Sequence, residues 1–160
     1  MSDNILRFVA ADPNVLPAEA RTDEARRVVT RAFPAADPVE VERHDGVRFI
    51  DCGSNLENVL CPSCGTDLLD DMMWTDLMQA AWESGMSQRR YALPCCGSIV
   101  ALEDLAYSWP VAFGRFSVNA WNPQLDWFHP DHQLGDHETA LLADLAAALG
   151  TPVKAFWAHI

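Results

Sequence analysis

The chain has 160 residues, and nearly half of them are apolar, including six tryptophans and seven phenylalanines. It can bury a core of ordinary domain size, and a disordered chain is excluded. The formal net charge is −12, with 11 basic residues against 23 acidic ones. Nucleic acid and anionic lipid both demand concentrated positive charge, so this balance argues against either and suits a protein partner with a basic surface.

No apolar run approaches the roughly 18 residues of a membrane span. The start, Met1-Ser2-Asp3-Asn4, lacks the basic residues and long apolar stretch of a secretory signal. Five cysteines in such a chain point to a reducing compartment, where clustered thiols serve metal or redox chemistry more often than disulfides. The expected location is cytoplasmic.

In chain order, Ile5 to Val9 is a short apolar run that predicts a first strand. Pro17 suits the first turn of a helix carrying Ala25, Val28, Val29 and Ala32 at helical spacing, and Pro34 ends it. Val39 to Arg43 alternates, Asp45-Gly46 is a strong tight-turn signal, and Val47 to Ile50 resumes, which predicts a β-hairpin. Trp74, Leu77, Met78, Ala81 and Trp82 mark one face of a second helix that stops at Gly85. Ser98 to Leu102 and Ala112 to Trp121 are strand-like, the latter with Phe113, Ser117 and Asn119 on one side and Phe116 and Val118 on the other. Leu141, Leu142, Leu145, Ala148 and Leu149 form a third amphipathic helix, with Asp136 at its start and Gly150 past its end. A β-rich stretch, Val153 to Ile160, finishes the chain.

Both ends therefore have a β-α-β pattern. The expected fold is α+β: one domain over residues 1–160, a ferredoxin-like sandwich with a zinc-ribbon-like insertion at about 52–105.

That segment carries the chemistry. In Cys61-Pro-Ser-Cys64-Gly65 the two-residue spacing lets both thiolates reach one ion about 2.3 Å away. The glycine lets the backbone curl, so that its N–H groups can donate to sulfur. A second pair, Cys95-Cys96-Gly97, follows Pro94. Two cysteine pairs bracketed by Pro and Gly predict one structural Zn²⁺, with Cys61, Cys64, Cys95 and Cys96 as ligands. Because the second pair is adjacent, the first position of a regular knuckle falls on Leu93, and Cys52 or, less favoured, His44 competes with Cys95 for the fourth place. Unliganded buried cysteines, or a redox pair at Cys61 and Cys64, are the weaker readings. Four thiolates close the coordination shell, and a closed shell has no vacancy for catalysis.

A second group, His129, Asp131, His132, Asp136 and His137, lies within nine residues. It fits a polar loop before a helix better than a metal or acid–base site, since it lacks the i, i+4 helical spacing of a His-Glu-x-x-His box. Trp109, Trp121, Trp127 and Trp157 suit core and rim positions better than a pocket. No phosphate-binding loop, dinucleotide pattern or nucleophile elbow is present.

Arg48-Phe-Ile-Asp-Cys-Gly53, Cys61-Pro-Ser-Cys-Gly65, Leu93-Pro-Cys-Cys-Gly97, Leu105-Ala-Tyr-Ser-Trp-Pro110, Gly114-Arg-Phe116, Asn122-Pro123 and Trp157-Ala-His-Ile160 together resemble a group of small bacterial proteins with no agreed activity. The resemblance covers about 110 residues and implies a compact bacterial domain, with Trp109-Pro110 and Trp157 to His159 in its structural core. It adds no mechanism. The functional expectation is a non-enzymatic zinc-binding protein that acts by binding another protein. The alternative is an enzyme or small-ligand binder using the region from His129 to His137 with the aromatics around Trp127.

Overall fold

The run around Phe8 forms β1 (Asn4–Ala10), from Ile5 to Ala10 buried on both sides, as expected of an inner strand. The structure, a computed structural model, describes residues 2–124 and 136–160. The described residues make an α+β fold with three α-helices, α1 (Glu19–Ala32), α2 (Met73–Glu83) and α3 (Asp136–Leu149). Its main sheet joins β1 to β2 (Val39–Ile50), β7 (Ala112–Trp121) and β8 (Val153–His159), in the order β2-β7-β1-β8 with every pair antiparallel.

One face of this sheet is covered by α1 and α3. Leu6, Phe8 and Ala10 from β1 and Phe116, Val118 and Ala120 from β7 pack there against Ala25 and Val29 of α1 and Leu141, Leu145 and Leu149 of α3. The helical apolar spacing and the strand alternation read from the sequence meet at this core. Pro17 stands just outside α1, which begins at Glu19 after Ala18; its carbonyl accepts a hydrogen bond from Arg43 Nη1 at 2.8 Å.

The expected hairpin at Asp45-Gly46 does not form. Residues 39–50 are one strand, and both halves pair with β7, with a register irregularity between Arg43 and Arg48. Gly46 does not take a positive φ, as the tight turn would require, and the Asp45 carbonyl accepts a hydrogen bond from Arg115 Nη2 of β7 at 2.6 Å. A ten-residue partner strand holds both halves in one ladder, and that outweighs the local turn preference.

Between β2 and β7 the chain builds smaller elements: β3 (Val59–Leu60) paired with β6 (Ala106–Tyr107), α2, and the hairpin of β4 (Arg90–Ala92) with β5 (Ile99–Ala101). Val59, Leu68, Leu77, Ala81, Leu93 and Leu102 form their core, and Val47 and Phe113 of the main sheet belong to the same cluster. Trp82 departs from the expected buried face: it is 59% exposed, and the guanidinium of Arg48 lies 5.4 Å from its ring centre. No helix among the described residues is long and apolar enough to cross a membrane.

Candidate metal centre

Two turns of the same construction carry the clustered cysteines. In the first, the Cys61 amide donates to the Thr66 carbonyl at 2.9 Å and the Gly65 amide donates to the Cys61 carbonyl at 2.9 Å. In the second, the Leu93 amide donates to the Ser98 carbonyl at 2.9 Å and the Gly97 amide to the Leu93 carbonyl at 2.7 Å. Gly65 and Gly97 both have φ of 77°, a conformation that a side chain disfavours, so the glycine closing each turn is required by the backbone. The first turn is held at its base by Asp67, whose Oδ1 accepts hydrogen bonds from the amides of Val59 and Leu69. The second is the loop of the β4–β5 hairpin.

Superposing the turns by these bonds puts Cys64 with Cys96, Thr66 with Ser98, and Cys61 with Leu93. Leu93 cannot bind metal; it is 1% exposed and fills the core of this part of the chain. The remaining thiol comes from Cys95, two residues further on.

The sulfur atoms of Cys61, Cys64, Cys95 and Cys96 all lie within 4.8 Å of one another, and the group could hold a metal ion. An ion bonded tetrahedrally to four sulfurs at about 2.3 Å keeps them about 3.8 Å apart. Cys61 Sγ and Cys96 Sγ, from opposite turns, are 3.7 Å apart, so the donor set fits. Backbone amides support it: the N–H groups of Ser63 and Cys64 point at Cys61 Sγ from 3.4 and 3.5 Å. Cys52 is not in the group. It is 1% exposed in a separate apolar cluster with Val9, Ile50 and Phe156, where burial pushes its thiol pKa up. His44 lies beside Glu42, at 3.8 Å.

The four thiols are not electrostatically equal. Cys64 Sγ is 3.1 Å from Thr66 Oγ1, and hydrogen bonding by the Thr66 side chain, then its backbone, brings the Cys64 pKa down to about 6. Ser98 lowers that of Cys96 in the same way, its Oγ being 3.3 Å from the sulfur. Cys95 is pushed up to about 12, by desolvation first and then by hydrogen bonding with the neighbouring thiols. Without a cation the cluster favours ionising Cys64 and Cys96 and keeping the proton on Cys95; a bound cation would favour the thiolate at all four.

Thr66 and Ser98 were not singled out in the sequence. Their signal is the repeated Cys-Gly-Thr and Cys-Gly-Ser, a hydroxyl two residues after the last cysteine of each turn. Of the second group of candidates, His129, Asp131, His132 and Trp127 lie outside the described residues, while Asp136 and His137 open α3 with exposed side chains. Trp109, Trp121 and Trp157 are half-buried, and Trp109 Nε1 donates to the Trp157 carbonyl at 2.8 Å. Comparison of the chain with known protein families, curated proteins and solved structures found no match.

Proposed function

We propose that Cys61, Cys64, Cys95 and Cys96 hold one Zn²⁺ in a closed structural site, and that the chain is a non-enzymatic domain acting by binding another protein. The observation that carries the metal reading is the convergence of four sulfurs, from two turns 32 residues apart in sequence, to within 4.8 Å. Soft thiolate donors in a set of four favour zinc, copper(I) or iron, and zinc in such a set is structural. The strand order β2-β7-β1-β8, with α1 and α3 on one face, supports a ferredoxin-like sandwich. The segment at about 52–105 is then its zinc-ribbon-like insertion, two knuckles stapled by the ion. The charge of −12 supports a partner with a basic surface.

Cobalt(II) substitution tests whether the site is closed. The loaded protein should show the visible bands of tetrahedral cobalt with strong sulfur charge transfer, unchanged by added azide or cyanide. A spectrum altered by either anion would reveal an open position and contradict the structural assignment.

A further inference from the structure

The side of the main sheet away from α1 and α3 carries a buried arginine that pairs with no carboxylate among the described residues. Leu6, Phe8 and Ala10 belong to the helix-covered core, so strand alternation turns Arg7 to the opposite face. There it is 8% exposed, and among the described residues no carboxylate pairs with it. The register sets Asn119 of β7 directly beside it, and Asn119 is fully buried. Asn119 Oδ1 accepts a long hydrogen bond from Arg7 Nη1 at 3.4 Å, while its Nδ2 donates to Glu42 Oε1 at 3.2 Å. Glu42 is half-exposed, so this chain of polar groups runs from the interior out to solvent.

The guanidinium is thus held from one side only. Nη1 is engaged by Asn119, whereas Nε is buried with no hydrogen-bond partner among the described residues. Nε and Nη2 form the side-on fork of an arginine, the edge that meets a carboxylate or phosphate through two parallel hydrogen bonds. A buried cation lacking a counter-ion is among the costliest arrangements in a protein interior, and an oxyanion on the free edge removes that cost. Ser117, 1% exposed and on the same face of β7, adds a hydroxyl to this region. We propose that Arg7, oriented by Asn119, is the anion-gripping side chain of a binding site on this face of the sheet, for a small ligand bearing a carboxylate or a phosphate. The site stands independently of the cysteine cluster.

The test uses the full chain as purified, with sodium acetate or inorganic phosphate as probe and sodium chloride at equal ionic strength as control. One or both anions should shift the Arg7 Nε–H resonance in nitrogen-15 NMR spectra and raise the melting temperature by ~3 °C at about ten times the dissociation constant. Response to acetate alone assigns a carboxylate ligand; response to phosphate alone assigns a phosphate. Arg7→Met should lose the thermal response while matching or exceeding wild-type stability in chloride, since it removes an unpaired charge. An Nε–H resonance that neither anion moves overturns the proposal, and so does equal stabilisation of wild type and Arg7→Met. The resonance is read on the wild-type chain, so it decides the matter even if the variant does not fold.

Discussion

Leu93 occupies the place in its turn that Cys61 occupies in the other, and this one exchange decides where the fourth thiol comes from. Cys95 follows two residues later and reaches the cluster, while Cys52 is enclosed by Val9, Ile50 and Phe156. Cys95→Ser should therefore lose metal under a mild chelator, and Cys52→Ser should keep it while costing about 1–3 kcal/mol through a buried hydroxyl. Metal content after dialysis separates the two; the reverse pattern would move the ligand role to Cys52. Gly97→Ala should cost about 1–2 kcal/mol through backbone strain alone, since no heavy atom lies within 4 Å of the added Cβ. Chemical denaturation measures that loss, and an unchanged midpoint would contradict it. The cysteines were legible at this scale because metal-ligand spacing is local. Arg7 was not: within an apolar run it passes for a solvent-facing residue, and its partner Asn119 lies 112 residues away.

The elements whose pattern was carried by their own residues were the legible ones. α1, α3 and β7 follow the helical and alternating periodicities that the sequence displays. Asp45-Gly46 misled because its turn preference is a local signal, whereas the pairing of both halves of β2 with β7 is a tertiary one. β3 and β6 have two residues each and β4 and β5 three, too short to stand without packing or a staple. Chelation should accordingly expose the amides of Cys61, Gly65, Leu93 and Gly97 to hydrogen exchange first, while those of Phe8 and Val118 in the main sheet stay protected. Loss of protection in β1 before the turns would show that the cluster does not staple these elements.

Over the whole molecule, a helix-covered core and a smaller one around the cysteine turns meet at the main sheet, where Val47 and Phe113 join the second. Damage to the first core should leave the metal in place. Leu145→Ala, at a fully buried position between α3 and the sheet, should cost about 2–5 kcal/mol while the native fraction retains its ion. Parallel thermal melts and metal analysis check this, and metal loss from the folded variant would mean that the two cores are inseparable. The strand order was only partly legible, because the sequence announces β-α-β units without saying which strands become neighbours. Native mass spectrometry of protein purified without added metal tests the presence of the ion most directly. One zinc per chain is expected, lost together with the hydrogen-exchange protection of the two turns. A metal-free chain, fully folded and with all four thiols open to alkylation, would contradict it.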